Sequence, residues 1–532
     1  MPRILYLLNI MAKARKIPHT FVIIGFVLLV CGILTWLVPA GEFDHQTVTV
    51  NGAERDIIVA DSYHQVESNP QSWQVLGAIV DGFKRQAAII AFVLIIGGAF
   101  QILNSSRAID FGIRSFLKKV HKHWTIIVAT MIIFSIFGAV FGMSEETMAF
   151  IIIFVPLAIS MGYDSITGVL MVYVAAHVGF SGAVFNPFTI GIAQGLSGLP
   201  LFSGFEYRMF VWVVLTLLII AFTLWYANRV KKNPQLSPTY KIDEYWRKRE
   251  EESAAMEFNS KTPLSAWIIF LLSAAVMVVA SILYPKTTVV LGGKEVTFIC
   301  IPIVTALYII LGIITLRKSY LYFILSVLAF TIVFLVVGVL GYGWYVKEIS
   351  ALFLGMGIIS GAAMGSSANK IAVEFINGAK DILSAALIVG LAGGIIEVLT
   401  AGKVMDTILY GLANTMSGTS QGGTVSIMYG IQTVLNLFIP SGTAKAALTM
   451  PIMAPFSDVI GLSRQATVMA YQFGDGFTNM ITPTSAVLMG VLGIARIPYE
   501  LWLKWFWKIL LVFMLIGLLL LMPTVYMNLN GF

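Results

Sequence analysis

The chain has 532 residues, of which 58% are hydrophobic and only 11% charged, with a formal net charge of +7 and a mean hydropathy of +0.87. Soluble domains carry roughly 25% charged residues, so this composition excludes a soluble enzyme, a disulfide scaffold and a disordered regulator. It predicts an all-α polytopic membrane protein. Cys31 and Cys300 lie in apolar segments, and the six histidines show neither HxxxH nor HExxH spacing, so no metal motif is present.

In chain order, residues 1–19 carry Arg3, Lys13, Arg15 and Lys16 without an acid, which predicts a cytoplasmic N-terminus. The apolar run 21–38 lacks a small-x-small cleavage signal behind it and reads as a retained helix. Residues 39–81 hold seven acids against Arg55 and are predicted outside, so 1–81 forms an N-terminal helix and extracytoplasmic loop. A first repeat is predicted over 82–228. It begins with the apolar run 87–103 and the basic stretch 105–122, where Arg107, Arg114, Lys118, Lys119 and Lys122 face Asp110 alone. A hairpin over about 123–161 follows, with its tip at Phe141 to Ser144. Residues 166–199 are too long for one straight span of about 20 residues and are punctuated by Ser181-Gly182 and Asn186-Pro187. The polar stretch 229–262, with Arg247-Lys248-Arg249-Glu250-Glu251-Glu252, reads as a solvated cytoplasmic linker. Intervening transmembrane helices are predicted over 263–377, at about 263–284, 299–316, 320–345 and 349–367. The second repeat, 378–528, holds a hairpin at about 423–457 with its tip at Pro440 to Thr443. Its broken crossing, 464–497, carries Gly474-Asp475-Gly476 and Thr482-Pro483-Thr484-Ser485.

The two halves match at an offset of about 296 residues: Asp81-Gly82-Phe83-Lys84 falls on Asn377-Gly378-Ala379-Lys380, Gly97-Gly98 on Gly393-Gly394 and Asp110 on Asp406. A three-residue slip aligns Phe141–Thr147 with Pro440–Ala446, which sets Glu146 opposite Lys445, and Asn186-Pro187 then returns to Thr482-Pro483. Repeats of inverted topology hold substrate between them at the midplane, where unwound carbonyls coordinate Na⁺ and half-helix N-termini attract anions. Two re-entrant hairpin tips facing two unwound helices predict a site built from Ser144, Glu145, Glu146, Thr147, Asn186, Ser441, Gly442, Thr443, Lys445, Asp475, Thr478, Asn479, Thr482 and Ser485. A carboxylate at membrane depth costs about 2.5–3.5 kcal/mol, so Glu145 and Glu146 call for Na⁺, a proton or a cationic substrate group, unless one merely caps a helix. Lys445 is expected to neutralise that pair, replace a coupling cation or hold a substrate carboxylate. Asp475, between two glycines, stands out among the short polar residues flanking the breaks, and His177 reads as an interhelical hydrogen-bonder. A Na⁺ ion is expected near Glu145, Glu146, Asn186 or Asp475, with Na⁺ or H⁺ as coupling ion and no other cofactor.

The segments GMSEETMAFIIIFVPLAISMGYDSITGVL (142–170), FNPFTIGIAQG (185–195), SGTAKAALTMPIMAP (441–455) and YQFGDGFTNMITPTSAVLMG (471–490) closely resemble the YfcC-like, C4-dicarboxylate anaerobic carrier-like family of the ion transporter superfamily. The resemblance runs over essentially the whole chain, including PHTFVII…LTWLVPAGEF (18–43). It implies the superfamily fold, with two inverted repeats, about 11 transmembrane helices and two hairpins, in a homodimer of the bacterial inner membrane working by an elevator motion. Many relatives carry an uncharged residue where Lys445 stands, which puts a second Na⁺ site in doubt. Substrates of the group include dicarboxylates, and some members exchange arginine and ornithine. The expected function is therefore ion-coupled symport or exchange of a small carboxylate-bearing metabolite. The acidic pair favours an amino-bearing substrate and Lys445 an anionic one, and an amino acid satisfies both. A C4-dicarboxylate carrier and an arginine/ornithine-type basic amino acid antiporter are the alternatives. Partners are the small-molecule substrate and the lipid bilayer, with no nucleic acid. A channel would need rings of charge or carbonyls along a pore, and an intramembrane enzyme would need HExxH, GxSxG or a partnered nucleophile; the sequence holds neither arrangement.

Overall fold

The computed structural model describes residues 20–50, 53–59, 62–117, 122–255, 261–291, 294–414, 419–459 and 462–531. Arg3, Lys13, Arg15, Lys16, Lys118 and Lys119, which carry much of the predicted orientation, lie outside them. The first apolar run forms α1 (Thr20–Leu37). The loop behind it contains four short strands, β1 (Gly41–Glu42), β2 (His45–Val50), β3 (Ala53–Ile58) and β4 (His64–Gln65), paired antiparallel as β1 with β4 and β2 with β3. Thr47-Val48-Thr49-Val50 running into Asn51-Gly52 is the sequence signal of that hairpin.

The helices that follow are α2 (Gln74–Arg85), α3 (Ala87–Ser105), α4 (Ala108–Leu117), α5 (His123–Phe141), α6 (Thr147–Ser160), α7 (Ser165–Gly182), α8 (187–196) and α9 (Phe205–Lys232). The linker helix is α10 (Glu244–Ala255). Then come α11 (Leu264–Leu283), a second β-hairpin of β5 (Thr287–Leu291) and β6 (Lys294–Phe298), α12 (Cys300–Lys318), α13 (Tyr320–Tyr342) and α14 (Val346–Ala363). The chain continues through α15 (Ala368–Asp381), α16 (Leu383–Ala401), α17 (Met405–Asn414), α18 (Gln421–Asn436), α19 (Gly442–Val459), α20 (Arg464–Asn479), α21 (Ala486–Ala495) and α22 (Tyr499–Leu521). Nine of the described helices are long and apolar enough to cross a membrane, or up to ten with the pair α15–α16, bent by 51°. Breaks cut other apolar segments into pieces such as α6 and α21 that fall short of a span.

The two repeat-equivalent helix pairs interlock through glycine. Gly82 on α2 meets the backbone of Gly393 and Gly394 on α16, while Gly378 on α15 meets Gly97 on α3. The contact reciprocates residue by residue at the 296 offset: Gln86 lies against Gly393 as Ile382 lies against Gly97, and Ile79 against Gly394 as Phe375 against Gly98. Without Cβ atoms the backbones approach closely, which substitutes for a hydrophobic driving force between helices in lipid. The innermost helices are α7, buried along its whole length, and α20, buried from Gln465 to Asn479. They touch where Gly476 meets Ser181.

The linker is a packed strap instead of a solvated hinge. Asp164, just before α7, accepts hydrogen bonds from Tyr226 (2.5 Å) and Ser237 (2.7 Å), while Asp243 accepts from the Ser165 amide (3.1 Å) and Thr239 (2.8 Å). Burial pushes the Asp243 carboxyl up from its ordinary range, against the hydrogen bonds from Ser165 and Thr239. Farther along, Arg249 of α10 pairs with Asp110 of α4 at 3.3 Å. Within the charge run, Arg249 is thus held by a partner on another helix, while Lys248 forms an exposed pair with Glu244 one turn back.

Candidate functional site

Helix α5 ends on Gly142, whose φ of +67° puts it in the left-handed region that glycine occupies without strain. An added Cβ there would lie 2.5 Å from Asn186 Oδ1, so the turn is pressed against the start of α8. Residues 142–146 form the turn, and α6 departs from Thr147. Within it, Glu146 Oε2 accepts the Ser144 amide at 3.1 Å and Thr147 Oγ1 donates to the Ser144 carbonyl at 2.5 Å. The buried Glu146 side chain faces Phe141, Met143 and, on α13, Leu335, Val336 and Val339. Glu145 Oε1 accepts from the Tyr345 hydroxyl at 3.1 Å. Ser144 Oγ lies 3.5 Å from His177 Nε2, and His177 Nδ1 lies 3.1 Å from the Tyr173 carbonyl. Among the described residues, no Lys or Arg comes within 4.0 Å of either glutamate.

The second tip lies between α18 and α19. Gly442 sits where a Cβ would meet Thr189 Cγ2 at 2.8 Å, Asp475 Oδ2 at 3.0 Å and the Tyr471 hydroxyl at 3.2 Å. Tyr471 donates to the Gly442 carbonyl (2.6 Å), and Thr443 Oγ1 donates to the Phe188 carbonyl (2.9 Å). Ser441 caps this turn, its carbonyl accepting the Lys445 amide at 2.9 Å. Lys445 and Asp475 are both 0% exposed and pair at 3.1 Å. The same ammonium donates to Asn436 Oδ1 (3.0 Å) and the Gln432 carbonyl (3.4 Å), and stands 5.2 Å from the Tyr471 ring centre. Asn436 Nδ2 donates in turn to Asn479 Oδ1 (3.1 Å), and Asn479 Nδ2 to Asp475 Oδ2 (3.2 Å).

One expectation needs correction. Gly474-Asp475-Gly476 is not unwound; it lies inside α20, and its glycines serve close packing, Gly474 against Gln432 and Gly476 against Ser181. Four of the carbonyls at the two breaks are taken by side-chain donors. Between α7 and α8, Arg208 of α9, 1% exposed, donates to the carbonyls of Ala183 (3.2 Å) and Val184 (3.4 Å). Between α20 and α21, Trp502 Nε1 takes the Met480 carbonyl (2.9 Å) and the Tyr499 hydroxyl takes Ile481 (2.8 Å). In each half the next helix thus supplies donors for carbonyls the break releases.

The first tip therefore gathers Ser144, Glu145, Glu146 and Thr147, while Ser441, Gly442, Thr443, Lys445, Asp475 and Asn479 gather at the second. Asn186 and Thr189 lie where the tips converge. Asn186 Oδ1 accepts the amides of Phe188 (2.9 Å) and Thr189 (3.3 Å), while Asn186 Nδ2 and Thr189 Oγ1 are buried without a hydrogen-bond partner among the described residues. Thr478, Thr482 and Ser485 are spent locally: Thr478 donates to the Gly474 carbonyl (2.7 Å), Thr482 lies 2.7 Å from Thr484 Oγ1, and Ser485 caps α21 at the Leu488 amide (3.3 Å). Sequence reasoning missed Arg208, Tyr345, Asn436, Tyr471 and Thr189. Only Arg208, a lone cation entering an apolar run, carried a signal.

The sequence profile of the C4-dicarboxylate anaerobic carrier family (DcuC) matches residues 17–526. The chain is 34% identical over 524 residues to YfcC of Escherichia coli (strain K12), provisionally named a basic amino acid antiporter, covering 92% of each. It is 25% identical over 553 residues to an uncharacterized protein of Haemophilus influenzae, covering 96% of this chain and 98% of that one. Among solved structures, the Alcanivorax borkumensis YdaH transporter and Neisseria gonorrhoeae MtrF, described with a class of antimetabolite efflux pumps, each align at 15% identity and a TM-score of 0.37. The alignments cover 95% and 98% of this chain and 97% and 98% of theirs, and similarity at that score carries no argument.

Proposed function

The chain belongs to the C4-dicarboxylate anaerobic carrier family and is a membrane transporter, not an enzyme; from that premise we propose that it exchanges small amino acids, basic ones foremost. The observation that carries this reading is the distribution of buried charge. Lys445 is matched by Asp475 at 3.1 Å, so it offers no free charge to an anion, while Glu145 and Glu146 have no basic partner among the described residues. A negative pocket edge at the first tip suits the guanidinium or ammonium of a basic side chain. The unpartnered Asn186 Nδ2 and Thr189 Oγ1 suit the substrate's carboxylate. The name of the E. coli relative points the same way.

The reciprocal glycine contacts support two inverted repeats, with the turns at 142–146 and 437–441 as re-entrant tips. An elevator motion in an inner-membrane homodimer, N-terminus cytoplasmic, completes the reading. The glutamate pair holds either the substrate's cation or a coupling proton, one replacing the other as the carrier turns over.

Counterflow in proteoliposomes tests it. Vesicles loaded with arginine, ornithine or lysine should take up labelled arginine, and Glu145→Gln and Glu146→Gln should each slow that counterflow by about tenfold or more. Exchange of succinate or fumarate without exchange of any basic amino acid would replace this reading with a dicarboxylate carrier.

A further inference from the structure

A lysine ammonium has three N–H donors and no acceptor. Lys445 donates to Asn436 Oδ1 at 3.0 Å and the Gln432 carbonyl at 3.4 Å, and its charge stands 3.1 Å from Asp475 Oδ1 as an ion pair. A carboxylate, an amide oxygen and a backbone carbonyl around an enclosed positive charge are the ligand types a hard monovalent cation takes. The Tyr471 ring, 5.2 Å away, adds a cation-attracting face. The shell is braced from outside, since Asn436 and Asn479 fix each other and Asn479 fixes the second oxygen of Asp475. Gln432 Oε1, on the same turn of α18, is buried without a hydrogen-bond partner among the described residues.

We infer that the Lys445 ammonium is a tethered cation occupying an ion site at the second tip, so that this half of the carrier needs no Na⁺. The stem of Lys445 is fixed in α19 while Asp475 and its companions lie on α18 and α20, so the charge welds the tip to the helices behind it. A carrier with a dissociable ion would make that weld only when the ion is bound. Removing the ammonium uncovers Asp475 as a buried unpaired carboxylate in a ready-made oxygen shell, and a soluble cation then binds there.

This inference rests on the transporter reading but not on the substrate named above, so its test reads ion binding and needs no substrate. Thermal unfolding of purified Lys445→Ala is followed in NaCl against choline chloride, with wild type and Lys445→Ala/Asp475→Asn alongside. Na⁺ should raise the unfolding temperature of Lys445→Ala by at least about 3 °C, by binding the folded state alone. Wild type and the double variant should not respond. An equal Na⁺ response in wild type would overturn the inference by placing the ion elsewhere. No response in Lys445→Ala would also overturn it, because the ammonium would then be a structural counter-ion. So would failure to recover Lys445→Ala from Na⁺ buffer while the double variant folds, since Na⁺ would not replace the ammonium.

Discussion

Glu146 and Lys445 hold equivalent positions in the two repeats, yet the structure treats their charges oppositely. Glu146 stays within its own turn, accepting the Ser144 amide and facing apolar side chains of α13, with no cation beside it among the described residues. Lys445 is enclosed by three oxygens and a carboxylate's charge. The difference teaches that one tip is electrostatically closed and the other open. A ligand's positive charge has a reason to visit the first tip, and no free charge at the second draws an ion.

The closed tip should be the harder to disturb without loss of fold. Asp475→Asn strands the ammonium and should cost about 3–5 kcal/mol, read from thermal or denaturant unfolding. A loss under ~1 kcal/mol would show that Asp475 is not the balancing charge, and the contrast between the tips would collapse. The two breaks offer the next largest effect. Arg208→Ala leaves three carbonyls, of Ala183, Val184 and Phe202, without their donor, while that of Ser203 keeps Gln194 and Gln465, and should cost about 3 kcal/mol. At the other break Trp502→Phe removes one donor and should cost about 1 kcal/mol, so equal losses would deny that α9 and α22 split this task unequally. At the open tip the effect should move from stability to transport. Glu146→Gln should unfold within ~1 kcal/mol of wild type but slow basic amino acid counterflow by about tenfold or more, as loss of one charge-assisted contact does. Smallest of all, Tyr345→Phe removes the hydroxyl that donates to Glu145 and should change stability by about 1 kcal/mol or less.

Legibility fell along the same line. Apolar runs and Gly/Pro punctuation are local properties, so membrane character, the helical class and the family could be read from the chain. Scarcity of charge also singled out Glu145, Glu146, Lys445 and Asp475 as residues to place. Their partners could not be read, because Lys445 and Asp475 are 30 residues apart on different helices and meet only when α19 packs on α20. The glycines around Asp475 misled for a similar reason: Gly474 and Gly476 look like breaks in one dimension, but are clearances for Gln432 and Ser181. Arg208 stood out as a lone cation entering an apolar run, but its bonds to the Ala183 and Val184 carbonyls, 25 and 24 residues back, could not be read from the chain.

What the residues settle unaided is therefore solvent and class: too few charges for a water-facing surface, too many long apolar runs for anything but a bilayer, and motifs long enough to name the family. Tertiary structure alone decides which buried charges cancel, which freed carbonyls are already taken and which polar atoms remain for a ligand. The physical reason is that burial cost and pairing energy depend on distance in space, over a few ångströms, and distance along the chain does not report it.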